Sequence, residues 1–348
     1  MKICDSCFHD VEIRSYIRSN STQTGICECC SAHGHLLDIT ELLDFFIAFL
    51  SIFKFDQQGN RIEELIQRDW NLFQSEEVCF KILSESILKV ELALTLGIAK
   101  DMLSGGVEVK VKYLDEIEEC VSYWDKLKNE LKWERRYLTN IDEMLEFGWG
   151  EFFNYSFNFD PKTIIYRARI NSESQTEPYL PKEMLSPPVK NTSSGRVNPI
   201  GIPLLYLSKE INTTLYEIRA ALLDNISVGH FKIKQDCEIN IVDFTSIQSV
   251  FNNTDEMFSF VKKELLRRAI SVDLSKPLRR YDSELEYIPT QFICEFIRYI
   301  TKADGIQFNS SLKKDGLNIV LFNQDNIICT KVELYQINNI DIESVKLK

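Results

Sequence analysis

The sequence predicts an α+β protein in three parts: a cysteine-rich head over residues 1–35, a helical bundle over 36–150, and a strand-rich, mixed α/β domain over 151–348. Three observations predict it. Two Cys-x-x-Cys pairs, Cys4/Cys7 and Cys27/Cys30, stand nineteen residues apart near the N-terminus. Apolar residues then recur at helical spacing from Ile39 to about Gly148. Beyond Trp149 the period shortens to two, as in strands, with helical stretches between.

The two-residue gap within each cysteine pair lets both thiolates and the adjacent amides converge on one tetrahedral ion. Cys4, Cys7, Cys27 and Cys30 are therefore the candidate ligands of a closed, structural zinc site. Cys29 is a spare, and His9, His33 and His35 are alternatives that four thiolates make unnecessary. A catalytic zinc would keep an open position and mixed ligands. The expected role is to fasten the N-terminus to the helices; the alternative is a set of free thiols. Five of the ten cysteines lie in the first thirty residues and the rest are scattered singly. That is not the pattern of a small secreted disulfide scaffold, so the expected compartment is the reducing cytoplasm.

In the middle part, Leu42, Phe45, Phe46, Phe49 and Leu50 fall on one helical face, as do Val78, Ile82, Leu83 and Val90, and later Tyr123, Trp124, Leu127 and Leu131. Gly59 and Gly105-Gly106 mark turns, which suggests four or five helices. The apolar run from Leu42 to Phe55 is short of the roughly 20 residues a spanning helix needs and contains Asp44, so it reads as a buried core helix. Met1-Lys2-Ile3-Cys4 does not open a signal peptide. None of the four histidines follows an arginine at the spacing of a HEPN-type nuclease, so an RNase would lack its base. Packing, homo-oligomerisation or partner binding remains for this region. A net charge of −12, from 40 basic and 52 acidic residues, excludes a general nucleic-acid or anionic-membrane surface while allowing a local basic pocket.

The last part reads as strands at Thr163–Ile170 and Leu204–Leu207, a helix over Thr213–Leu223, and one alternating stretch from His230 to Phe244. Helices follow around Phe258–Ile270 and Thr290–Ile300, then strands near Gly305, Asn318 and Asn326. Asn171–Ser194, polar and carrying four prolines, is expected to be a mobile functional loop. There is no P-loop and no Gly-x-Gly-x-x-Gly turn.

Polar residues stand out against this apolar background. Tyr166-Arg167-Ala168-Arg169 ends one strand; Gly195-Arg196-Val197-Asn198-Pro199 leads to Tyr206 and Ser208; Glu217 follows on a helix; Asp304-Gly305-Ile306-Gln307-Phe308-Asn309-Ser310-Ser311 comes late. Arginines, a tyrosine, a carboxylate and a serine suit an anionic substrate with a polarised bond to break. Arg167 and Arg169 lie two apart and share a strand face, so spacing leaves both open as the functional arginine. Taken singly, each of these residues also has a duller role as a surface charge, a core tyrosine or a turn serine.

Their order resembles the RES domain, best known from toxins of RES–Xre toxin–antitoxin pairs, over about residues 160 to 325. The head and helices look like the HEPN/RES N-terminal domain that precedes some RES domains. Val197 departs from the tryptophan many members carry, which would change how a substrate ring is stacked. The resemblance implies an ADP-ribosyltransferase-like fold and cleavage of NAD⁺ by inorganic phosphate to nicotinamide and ADP-ribose-1″-phosphate. It carries Arg167, Glu217 and Ser310 over as catalytic, with Tyr206 and Arg196 binding substrate; Arg169, the register alternative, and Asn198, which could instead shape the turn before Pro199, are further substrate-binding candidates. It also implies a toxin or anti-phage effector restrained by an Xre-like antitoxin. ADP-ribosyl transfer to protein, hydrolysis of NAD⁺, and a non-catalytic nucleotide-sensing module are the competing readings.

Overall fold

In the computed structural model, which describes residues 1–97, 109–154, 156–277, 284–340, 344 and 346, the chain divides into two units. The first comprises Met1–Ser122 and Ile247–Leu265; the second comprises Tyr123–Ser246 and Leu266–Lys348. The turn expected at Gly105-Gly106 lies outside the described residues.

The first unit opens with strands β1 (Lys2–Cys4), β2 (Gln23–Ile26) and β3 (His33–Asp38), antiparallel in the order β1-β3-β2. A helix over Val11–Asn20 intervenes, and Asp10 caps it by accepting the amide protons of Glu12 and Ile13 at 3.0 Å each. The apolar run read as one helix is split. A helix ends at Leu50, and Phe53 begins strand β4 (Phe53–Arg61), which pairs antiparallel with β5 (Lys110–Tyr113). The middle region is therefore not a pure helical bundle. Lys110-Val111-Lys112-Tyr113 alternates in burial as a strand should, but a four-residue strand is too short to show against the helical periodicity around it. Head and helices share one core built on Phe8, Phe46, Phe49, Phe53 and Phe73. The segment Ile247–Leu265 returns to the same core: Phe251 lies 5.3 Å from Phe45 and 5.2 Å from Tyr16, centroid to centroid.

The second unit holds an eight-stranded sheet in the order β13-β9-β7-β8-β12-β11-β10-β6. These are β6 (Ser156–Asn158), β7 (Ile165–Ile170), β8 (Leu205–Ser208), β9 (Asn225–Ile233), β10 (Asn240–Asp243), β11 (Gly305–Asn309), β12 (Leu317–Leu321) and β13 (Ile327–Gln336). Among the described strands of this sheet, β10 and β11 run parallel and the other neighbours antiparallel. The expected division at residue 150 falls inside this unit. The stretch from His230 to Phe244 is not one strand, because Asp236 takes a positive φ of 59° and turns the chain between β9 and β10. The helix expected over Thr213–Leu223 spans only Ile211–Glu217, since Arg219 and Leu223 adopt φ of 52° and 70°.

The polar segment expected to be mobile is fastened down. Met184 is fully buried, Tyr179 donates its amide proton to Ser227 Oγ at 3.0 Å, and Ser186 does so to Gln324 Oε1 at 2.9 Å. An apolar anchor in a polar segment explains why composition misled there. No described helix is long and apolar enough to cross a membrane.

Candidate functional site

Strands β7 and β8 share a single residue pair, Tyr166 with Ser208. Elsewhere β7 pairs along its length with β9, and β8 with β12, so the sheet parts between β7 and β8. A cavity of about 320 Å³ opens there. Tyr166 and Arg167 enter it from β7, Tyr206 and Ser208 from β8, and Asn318 from β12; Arg196, Glu217 and Arg219 enter it from the segments between strands. Arg167 and Arg196 lining the same cavity as the Glu217 carboxylate suit an anion.

Arg167 carries the clearest signal. Its Nη1 is buried without a hydrogen-bond partner, and burial, aided by the nearby Arg169 charge, lowers its pKa to about 10. It remains a cation at neutral pH, and among the described residues no carboxylate forms an ion pair with it. Arg169 does not line the cavity. Its guanidinium lies 4.3 Å from the Tyr179 ring centroid and donates to the Glu183 carbonyl. Arg196 does line it, donating Nη1–H to the Asp273 carbonyl at 3.1 Å and lying over the Tyr287 ring at 5.6 Å. Burial lowers its pKa too, against the opposing pull of Tyr287 and Glu217.

Glu217 is the last residue of its short helix, where a carboxylate works against the helix dipole. Tertiary bonds hold it instead. Its Oε1 accepts from Ser310 Oγ at 2.6 Å and from Asn318 Nδ2 at 2.7 Å. Ser310 Oγ in turn accepts the amide protons of Leu312 at 3.2 Å and Lys313 at 3.0 Å. Arg167, Arg196 and Glu217, distant in sequence, thus line one cavity, and Ser310 reaches it only through its bond to Glu217.

Residues 164–336 match the family model of the RES domain. This chain carries a RES domain. No curated protein matches the chain. A chain of the crystal structure of the M. tuberculosis MbcT-MbcA toxin-antitoxin complex is similar at 13% identity and a TM-score of 0.30, over 49% of this chain and 83% of that one.

Within the RES domain, Tyr206 and Asn198 shape the loop that carries Arg196. The Tyr206 hydroxyl accepts the Val197 amide proton at 3.0 Å and donates to Asn198 Oδ1 at 2.7 Å. A Cβ on Gly195 would stand 2.7 Å from that hydroxyl, so the close approach requires glycine. Gln291 Nε2 donates to the carbonyls of Gly195 at 2.7 Å and Asn198 at 3.0 Å, and Thr290 Oγ1 to that of Arg196 at 2.6 Å. Val197 is buried and does not line the cavity, so the aromatic missing at this position is not missing from the cavity wall. Replacing Tyr206 by Phe keeps the ring but orphans the Val197 amide and Asn198 Oδ1. Denaturant titration should show a loss of about 1–3 kcal/mol.

Sequence reasoning singled out Ser208 beside Tyr206 but gave no site role to Ser208, Asn318, Thr290 or Gln291. A buried polar residue inside an apolar strand, such as Asn318 before Ile319-Val320-Leu321, was the available signal.

Outside the RES domain, Cys4, Cys7, Cys27 and Cys30 place their sulfurs within 4.8 Å of one another. Sulfur separations of 3.9 Å (Cys4–Cys7), 3.4 Å (Cys4–Cys30) and 3.5 Å (Cys7–Cys27) bracket the roughly 3.8 Å edge of a tetrahedron with Zn–S bonds of about 2.3 Å. Cys27 Sγ accepts the amide protons of Cys29 at 3.4 Å and Cys30 at 3.5 Å, which favours the thiolate. Cys29 Sγ interacts with Cys7 and with the Val78 carbonyl but is not one of the four, and none of His9, His33 and His35 joins the group. These four thiols can hold a metal ion.

Proposed function

We propose that the RES domain cleaves the nicotinamide–ribose bond of NAD⁺ by phosphorolysis, releasing nicotinamide and ADP-ribose-1″-phosphate. The observation that carries this reading is the half-buried Arg167, its Nη1 buried without a partner, sharing a cavity with the tethered Glu217 carboxylate. Bond breakage leaves the electron pair on the pyridinium nitrogen, which becomes neutral nicotinamide, and develops positive charge on the ribose, as in glycoside cleavage. Glu217 Oε2, which no described side chain occupies, stabilises that charge and hydrogen-bonds a ribose hydroxyl. Arg167 and Arg196 hold the diphosphate and the attacking phosphate through planar forks. Tyr206 gives its ring face to the cavity while its hydroxyl stays with the loop, and Ser310 orients Glu217.

In this reading the four N-terminal cysteines bind a structural zinc ion. Depletion of NAD⁺ makes the protein a toxin or anti-phage effector, and an Xre-like antitoxin is the partner that the family resemblance implies.

Proton NMR of the full-length protein with NAD⁺, with and without inorganic phosphate, tests the chemistry. Free nicotinamide with phosphate-dependent ADP-ribose-1″-phosphate is expected. Nicotinamide with plain ADP-ribose, irrespective of phosphate, replaces phosphorolysis by hydrolysis; loss of NAD⁺ into a labelled protein band replaces it by ADP-ribosyl transfer. An unchanged NAD⁺ spectrum in both conditions leaves only nucleotide sensing.

A further inference from the structure

A carboxylate has two oxygens, and the fold occupies one of those on Glu217. Both donors to Oε1 come from elsewhere in the chain, Ser310 from the loop after β11 and Asn318 from β12. The Asn318 amide alone could face Glu217 with either its NH₂ or its carbonyl oxygen. Glu217, a carboxylate that only accepts, fixes the NH₂ group as the end turned to it, and Ser208 Oγ–H donates to the Oδ1 left over at 2.8 Å.

The register of the sheet brings this about. Ser208 is the direct partner of Asn318 across β8 and β12, and also the one partner of Tyr166 across β7 and β8. It therefore stands where the sheet parts and the cavity begins. Ser208 is 3% exposed and Asn318 7%, inside strands whose other residues are Tyr206 and the aliphatic Leu205, Leu207, Leu317, Ile319, Val320 and Leu321. Burying a serine and an asparagine among aliphatic side chains is costly unless their bonds are made, and an apolar pair would serve the sheet equally well. The one bond that an apolar pair could not make is the one to Glu217.

We propose that Ser208 and Asn318 are positioning residues that clamp Glu217 Oε1, so that Oε2 alone is presented to the ribose of the bound substrate. The proposal rests on the reading that Glu217 acts on that ribose. It adds that a relay starting at a strand serine sets which oxygen does so.

The test uses full-length wild type, Asn318→Ala, Asn318→Asp and Ser208→Ala, with nicotinamide release followed from about pH 5 to 8 and thermal unfolding recorded at each pH. Arg167, Arg196, Arg219, Tyr166, Tyr206 and Tyr287 line the cavity, Lys313 follows Ser310, and His230 lies 5.0 Å behind the Tyr166 ring. The wild-type profile, measured in parallel, carries whatever these groups contribute. Asn318→Ala should lower kcat about 100-fold, and Ser208→Ala about 10-fold, with KM for NAD⁺ changed by no more than about twofold. Asn318→Asp is diagnostic. A protonated aspartic acid can donate to Oε1 as the amide did, whereas an ionised one repels it. Its activity should therefore recover on acidification while the fold persists.

Wild-type kcat in Asn318→Ala, or a wild-type pH profile in Asn318→Asp, would overturn the clamp. A second readout is free of turnover. The Asn318 side-chain NH₂ signals, assigned by their loss in Asn318→Asp, should shift in both Glu217→Gln and Ser208→Ala. Signals unmoved in both variants overturn the clamp whatever the activity. A wild type that releases no nicotinamide overturns the functional reading instead, and the NH₂ signals still judge the clamp.

Discussion

Arg167→Met and Glu217→Gln are each expected to abolish NAD⁺ cleavage, and the two variants should differ in stability. Arg167 is a half-buried cation whose Nη1 is buried with no partner and whose pKa desolvation has pulled down to about 10. A buried, unsatisfied polar group costs about 1–3 kcal/mol, and methionine keeps the apolar stem without it. The variant should lose at least about 100-fold in kcat/KM, because the anion loses its planar fork, while gaining roughly 1 kcal/mol in stability. Glu217→Gln keeps an Oε1 that can still accept from Ser310 and Asn318, so its unfolding curve should overlay wild type. It removes the charge that faces the developing cation, a loss of about 10²–10³ in kcat. Nicotinamide release and denaturant unfolding, measured side by side, check both. Full turnover in either variant removes that residue from the site. A destabilised Arg167→Met shows that the guanidinium is a structural group and not a waiting ligand. The combination of lost activity with gained stability is the signature of a residue kept for its substrate.

What could be read in the sequence was local or ordered along the chain. The paired Cys-x-x-Cys knuckles and the strands flanking Arg167 and Tyr206 follow from spacing and alternation. So does the order in which Arg167, Arg196, Glu217 and Ser310 appear. What could not be read depends on which distant segments meet. Arg167 and Arg169 are equivalent by strand period, and only the position of Tyr179, ten residues on, shows that Arg169 is drawn out of the cavity. Tyr206 has the look of a free aromatic, yet its hydroxyl is bonded to a loop eight residues upstream. The clamp on Glu217 joins residues about a hundred positions apart, so no periodicity reports it. Short elements failed for a different reason. Four-residue β5 is too brief to outweigh its surroundings, whereas the return of Ile247–Leu265 to the first unit is again a long-range pairing that no local pattern reports.

The largest effect on stability is expected at the cysteine cluster. Cys4 and Cys7 are fully buried, Cys27 is 2% exposed, and they sit in the same core as Ile3, Phe8 and Phe73. Four thiolates packed this closely repel one another unless a cation lies between them, and without metal the group must protonate or spread. Structural zinc sites in small peptides contribute apparent binding energies of about 10–16 kcal/mol, and here only part of that is at stake because an aromatic core supports the same unit. A Cys4→Ser/Cys27→Ser double variant should lose its bound zinc by metal analysis and several kcal/mol of stability by denaturant unfolding. Unchanged zinc content refutes the ligand assignment. Chelation of the wild type separates a structural ion from a catalytic one. A structural zinc predicts that nicotinamide release persists wherever the far-UV spectrum shows the chelated protein still folded, and fails only with the fold. A catalytic zinc predicts loss of turnover before any loss of structure, which four thiolates filling a tetrahedron and leaving no position for substrate argue against.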